Sequence, residues 1–372
     1  MSLGVYMDYN ASVPIRAQAA EVVRAALSLT GNPSSVHGFG RAARRMMEDA
    51  REQVAAAIGA APSEIVFTSG ATEANNLVLA GTRARRRLIS AIEHDSLRGA
   101  ADAELIPVTA AGVVDLAALE LQLAAEERPA LVCLMLANNE TGVLQPVAEA
   151  AEIAHRHGAL IHCDAVQALG RLPVDVTALG VDLLSLSGHK LGGPAGVGAL
   201  YIRRGLDLAP TLIGGGQERG RRAGTENLAG IAGFGAAAAI TVSELGDGAR
   251  VAGLRDALEA LIRAARPEAL IFGAEAPRLP NTSCVALAGV PAETQVMILD
   301  LAGVAVSAGA ACSSGKLRPS KVLAAMGVAP EIAASAIRVS LGWKSEAADI
   351  DRFIAAWSRL PDGKAATEGL AA

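Results

Sequence analysis

The sequence predicts an α/β protein in which a mostly parallel, seven-stranded sheet with helices on both faces precedes a smaller α+β unit. Three observations predict it. From about residue 61, short runs rich in Leu and β-branched residues alternate with polar turns and stretches of helical periodicity. The runs are EIVFTS, RLISAI, ELIPV, LVCLML, LIHCD, LLSLS and GALYI, and strands that alternate with helices pair in parallel. After about Ser243 that rhythm stops. The length of 372 residues, 51% of them apolar and 19% charged, leaves room for more than one core.

In chain order, MSLGVYMDYN lacks the basic start and apolar run of a signal peptide, so a cytoplasmic address is expected. Residues 1–14 are expected to pack with the small unit, 15–245 to form the large domain and 246–372 the small C-terminal domain. EIVFTS runs into SGATEANNLVLAG, a strand followed by a helix whose exposed N–H groups, positive dipole end and Thr72 hydroxyl outline a phosphate cradle. Taken alone, a capped helix after a strand explains that segment at least as well. Arg83 and Arg85 to Arg87 read as a solvated helix end. LIHCDAVQALG places Asp164 at the C-terminal end of an interior strand, with Gln167 one turn later. LLSLSGHKLGGPAGVGALYI ends a buried strand in Ser187, Gly188, His189 and Lys190. The stretch 213–227, IGGGQERGRRAGTEN, reads as an ordered loop, and Leu228 to Val242 as a buried helix too short to span a bilayer. Beyond it come an amphipathic helix (ARVAGLRDALEALIRAAR), a strand (NTSCVAL), a helix (ETQVMILDLAG) and the loop AGAACSSGKLRPS.

A formal charge of −5 gives neither nucleic acid nor an anionic membrane a reason to bind. Four cysteines without a CxxC pair predict free thiols. Cys133, Cys163 and Cys284 sit in apolar runs and read as core residues, whereas Cys312 lies in a small-residue loop with Lys316 and Arg318 nearby to favour its thiolate. His155, His157, His162, Cys163 and Asp164 do not make a metal site, because their side chains alternate between faces. Lys190, held against apolar surroundings, loses proton affinity and becomes an amine able to form a Schiff base with an aldehyde cofactor. Asp164, buried at a strand end, needs a cationic partner, and a protonated pyridine nitrogen would be one.

Ten ordered segments, YMDYNASVP, GNPSSVHGFGRAAR, EIVFTSGATEANN, EHDS, NNETGVLQP, HCDAVQALG, SLSGHKLGGPAGVGALYIR, GGGQERGRRAGTEN, SAGAACSSG and IRVSLG, resemble the motifs of cysteine desulfurases that serve iron-sulfur cluster assembly and nitrogen fixation. The resemblance covers nearly the whole chain. It implies the fold-type I architecture of the class V aminotransferases, a homodimer, and pyridoxal 5'-phosphate as cofactor. It further implies that Lys190 carries the cofactor and Asp164 partners its ring nitrogen, while His94 stacks on the ring and moves protons. Ala71, Thr72, Ser187 and His189 would hold the phosphate, Thr225 the phosphate in the neighbouring subunit, and Gln167 the ring hydroxyl. Asn139 would touch cofactor and substrate, Arg338 would pair with the substrate carboxylate, and Asn32 would assist. Cys312 would take sulfur from L-cysteine as a persulfide, leaving alanine, and pass it to an acceptor such as an iron-sulfur scaffold protein, with a shared cluster held through Cys312 as one form of that hand-over.

Two rivals stay open on the residues alone. An aminotransferase or selenocysteine lyase on the same fold would keep Lys190 but not need Cys312. A binding subunit that retains the fold without catalysis would need neither.

Overall fold

The computed structural model describes residues 4–100, 102–126, 128–309 and 319–361. A short first strand, β1 (Val5–Tyr6), precedes the large sheet. That sheet is built from β2 (Ile65–Thr68), β3 (Arg86–Ser90), β4 (Ala103–Ile106), β5 (Ala130–Met135), β6 (Leu160–Asp164), β7 (Leu183–Ser187) and β8 (Gly198–Ile202). Their spatial order is β2-β8-β7-β6-β5-β3-β4. Pairing is parallel from β4 through β7, and β8 runs antiparallel to both β7 and β2. Each of the seven expected runs is one of these strands.

The reason is burial on both faces. Every residue of β5, ALVCLM, is buried, as a sheet covered by helices on two sides requires. Successive side chains alternate: Leu131 and Cys133 join one core, with Val66, Ile89 and Leu200, while Val132 and Leu134 join the other, with Ile65, Leu88 and Ile161. On the second face lies the Gly- and Ala-rich helix Leu228–Ser243, packed against the helices Ala17–Leu27 and Gly38–Ala56. Small residues permit that close approach, since a Cβ on Gly235 would come 2.6 Å from the Ala50 Cα. Among the described residues no single helix is long and apolar enough to cross a membrane.

A second core forms around β9 (Leu270–Phe272), β10 (Thr282–Ala286), β12 (Ser307–Ala308) and β13 (Ala336–Ser340), an antiparallel sheet in the order β12-β13-β10-β9. Leu258 and Ile262 of helix Gly248–Ala265 pack there with Leu299, Phe353 and Trp357. The chain's start belongs to this core too. β1 pairs in parallel with β11 (Val304–Ala305), and Val5 and Met7 are buried in the same cluster.

Within the arginine cluster, Arg83 and Arg85 are exposed just past a helix end as expected, but Arg86 departs from that reading. The helix Ala71–Gly81 stops before it, and Arg86 opens β3 with its side chain only 4% exposed. It donates to Glu104 at 2.7 and 2.9 Å and to the carbonyls of Gln122 and Glu126. The 213–227 loop is held by a buried ion pair. Arg51 Nη1 and Nη2 meet Glu218 at 2.7 and 2.8 Å, and Glu218 also accepts from the Phe67 N–H. Glu218 and Arg219 adopt φ of 46° and 58°, a left-handed conformation costly for residues with a Cβ, which this pair maintains.

Candidate active site

A cavity of about 430 Å³ opens beyond the C-terminal ends of β5, β6 and β7, where open α/β sheets place their ligands. Asp164 is the last residue of β6, and Lys190 lies in the single helical turn that follows β7. Both line the cavity, as do Ala71, Thr72, His94 and Asn139. Gln167, Ser187, His189 and Arg338 complete the predicted residues found there. Ten of the thirteen predicted residues thus share one cavity. Asn32 and Thr225 are exposed and outside its lining. The Asn32 carbonyl side chain accepts from the Ser34 N–H at 2.8 Å, so it caps its own turn. Cys312 lies outside the described residues.

The carboxylate of Asp164 is 7% exposed. It accepts from Asn75 Nδ2 at 2.9 Å and from the Val166 N–H at 3.0 Å, and among the described residues it has no ion pair. The second N–H of the Asn75 amide reaches Ser96 Oγ at 2.8 Å. Ser96 in turn sits on His94: its backbone N–H donates to Nδ1 at 3.1 Å, and its Oγ lies 2.8 Å from the same nitrogen. Because Nδ1 accepts, the neutral His94 ring carries its proton on Nε2. One amide therefore ties the carboxylate to the imidazole. Below Asp164, His162 is sealed in the sheet with Nε2 2.8 Å from Ser185 Oγ, and burial holds it down at about 4.

Lys190 Nζ donates to the carbonyl oxygens of Asn10 and of Ala11, the latter at 2.9 Å. Its neighbour His189 is also lowered to about 4, by burial first and by the Lys190 charge second, so it meets a ligand as a neutral ring. Arg338, in β13 and 1% exposed, donates to Asp8 Oδ1 at 2.8 Å and to the Asn139 carbonyl at 3.1 Å. Among the described residues its Nε is buried without a partner. Arg338 itself lines the cavity, where a guanidinium suits an incoming carboxylate.

Several residues here carried no role in the sequence reading. Asn75 and Ser96 link Asp164 to His94. Asn10 gathers the two units together: its Nδ2 donates to Thr282 Oγ1 at 2.9 Å and its Oδ1 accepts from Asn281 at 3.0 Å, while its carbonyl accepts from Lys190 and Gln167. Glu140 is buried and raised to about 7, by burial first, and accepts from Ser320 Oγ at 2.5 Å. A signal for Asn75 existed, since it falls on the face of its helix that buries Ala74 and Val78.

Residues 5–353 match the model of the aminotransferase class-V family. A cysteine desulfurase from Cereibacter sphaeroides is 46% identical over 366 residues, covering 94% of each chain. Cysteine desulfurase IscS of Dictyoglomus turgidum is 40% identical and covers 97% of this chain and 95% of its own. Among solved structures, a NifS-like protein from Rickettsia africae superposes with a TM-score of 0.89 at 37% identity, covering 95% of this chain and 98% of its own. SspA in complex with cysteine gives 0.79 at 30% identity, covering 91% and 98%. By sequence match and by fold alike, the chain belongs to the class-V aminotransferase family.

Proposed function

We propose that the protein is a cysteine desulfurase that uses pyridoxal phosphate to move sulfur from L-cysteine to the Cys312 thiol, releasing alanine. One observation carries the reading: an amine, Lys190, and a buried carboxylate, Asp164, face one cavity at the ends of adjacent strands. The residues fit the cofactor on their own chemistry. Among the described residues Asp164 has two N–H donors but no cation, which is the partner a protonated ring nitrogen would be. The start of helix Ala71–Gly81, with Thr72 and Ser187, offers donors to a phosphate. Gln167 and Asn139 remain for the ring hydroxyl and the substrate, and Lys190 for the aldehyde.

When bound, the cofactor supplies an aldehyde that condenses with amines and a cationic ring that stabilises negative charge beside it. The chain's own residues do the rest. Asp164 keeps a proton on the ring nitrogen, and Asn75 keeps Asp164 oriented. Arg338 fixes the substrate carboxylate, while the Lys190 amine takes the proton from the α-carbon. His94 holds an exchangeable proton at Nε2. The Cys312 thiolate attacks the cysteine sulfur, forming an S–S bond as the C–S bond breaks, and the pair of electrons left on carbon is protonated to give alanine.

A homodimer, a cytoplasmic address and a sulfur-accepting protein belong to the same proposal. The exposed 213–227 loop, held in shape by Arg51 and Glu218, supports a role for Thr225 across a subunit boundary. Borohydride reduction of the protein with pyridoxal phosphate is expected to label Lys190. Cys312→Ser is expected to keep the cofactor's absorption and lose alanine formation from cysteine. Label elsewhere would overturn the assignment of Lys190, and undiminished turnover would favour the rival, an aminotransferase or selenocysteine lyase.

A further inference from the structure

Arg171 follows Gln167 by four residues and takes no part in the assignments above. Among the described residues it pairs with no carboxylate. Its acceptors are three carbonyl oxygens: Nη1 donates to the Gln167 backbone at 2.7 Å and to Gln167 Oε1 at 2.9 Å, and Nη2 donates to the Tyr9 backbone at 3.2 Å. Burial first, then the charge of Arg338, pull its guanidinium down to about 10. A half-buried cation with no counter-charge among the described residues loses hydration that only its hydrogen bonds replace, so those bonds call for an explanation.

The donors and acceptors settle how the Gln167 amide lies. A guanidinium has no acceptor and a backbone carbonyl has no donor. Oε1 must therefore face Arg171, and Nε2 must face the Asn10 carbonyl, 3.0 Å away. One hydrogen of Nε2 is spent on Asn10; the other remains for the large cavity, which Gln167 lines. The Asn10 carbonyl is also an acceptor for Lys190 Nζ, and the Tyr9 carbonyl beside it is the one that Arg171 holds. Arg171 and Lys190 also share, with Tyr9, the wall of a second, smaller cavity.

We propose that Arg171 is a positioning residue. By occupying Oε1 it commits Gln167 to present an N–H to an oxygen of the cofactor, and by holding the Tyr9 carbonyl it steadies the backbone on which the Lys190 amine rests. The inference rests on the pyridoxal-phosphate reading of the site. Without Arg171 the Gln167 amide is free to turn over and show an acceptor where an oxygen ligand needs a donor.

The test is a double-mutant cycle with Arg171→Met, Gln167→Ala, the double variant and Arg171→Lys. Two quantities are read on the full chain at one pH: the affinity for pyridoxal phosphate, and the ratio of the two visible absorption bands of the lysine-bound cofactor. Each of Arg171→Met and Gln167→Ala is expected to weaken binding roughly tenfold and to change the band ratio, the effect of one lost hydrogen bond. The double variant is expected to lose clearly less than the sum of the two single losses, because the larger part of Arg171's effect runs through Gln167 and only the hold on Tyr9 is separate. Arg171→Lys keeps the charge and a donor and is expected to fall between wild type and Gln167→Ala, which preserves the test should the Met variant fold poorly. Additive losses, a wild-type band ratio in Arg171→Met, or an Arg171→Lys protein beyond Gln167→Ala would each overturn the inference alone. A wild-type protein that takes up no pyridoxal phosphate would overturn the functional reading beneath it.

Discussion

Asn75→Ala tests whether the Asp164 carboxylate is oriented by the helix above it. The substitution removes two N–H donors together, the 2.9 Å bond to Asp164 Oδ2 and the 2.8 Å bond to Ser96 Oγ. Asp164 keeps only the Val166 N–H, in a site where it is 7% exposed and water replaces the lost donor poorly. A buried acceptor left unsatisfied costs about 1–3 kcal/mol. Charged against the state that holds the cofactor, this corresponds to a loss of affinity of about 5- to 150-fold. Titration of pyridoxal phosphate by absorbance measures it, with circular dichroism as the control for folding. Ser96 also loses the donor that positions its hydroxyl beside His94, so kcat is expected to fall with affinity. Unchanged affinity in a folded variant would refute the argument, since Asp164 would then be held without Asn75.

Glu218→Ala leaves the Arg51 guanidinium, 3% exposed, with only the part-exposed Glu48 carboxylate at 3.1 Å and the Ile65 carbonyl, and is expected to destabilise the protein by about 3 kcal/mol in urea unfolding. A loss below about 1 kcal/mol would show that water reaches the pair. His162 has a folded value of about 4 against an ordinary 6.5, so between those pH values the unfolded chain binds a proton that the folded chain refuses. Its contribution is complete above pH 6.5 and is lost as pH falls to 4, about 3 kcal/mol in all. His162→Gln is expected to flatten the acid limb of stability by one proton, and an identical slope would refute the burial argument. Arg338→Lys keeps the charge but loses the planar fork; kcat/KM for cysteine is expected to fall about 10- to 100-fold, mainly through KM.

The sheet was legible because its strands are buried on both faces and carry nearly unbroken apolar runs, a pattern that needs no partner to be read. Asp164 and Lys190 were legible for a related reason: a charge at the end of such a run has no bland place to go. The rest of the site was hidden by distance along the chain. Lys190 rests on the Asn10 carbonyl, 180 residues earlier, and Asn75 meets Asp164 across 89. Backbone carbonyls leave no trace in residue type, and an Asn on a helix reads as solvent-facing until the helix is docked. The 213–227 stretch read as an ordered loop, but the partner that orders it was hidden in the same way. ERGRR looks like a solvated charge run, yet its one glutamate is the buried counter-ion of an arginine 167 residues away.

The position of Asn10 has a consequence for how the site is kept together. Residues 5–7 are built into the smaller core through β1, and Asn10 is bonded to Asn281 and Thr282 of that unit. Its carbonyl nevertheless supports Lys190 and Gln167 of the larger sheet. Arg338 repeats the pattern, reaching from β13 to the Asn139 carbonyl beside the cavity. The Lys190 amine and the Arg338 guanidinium are thus referenced to one segment that both cores grip. A shift of the small unit against the large sheet would move that guanidinium and the support of the amine together, so the spacing that the chemistry needs is set by packing around the first ten residues as much as by the sheet that carries Asp164.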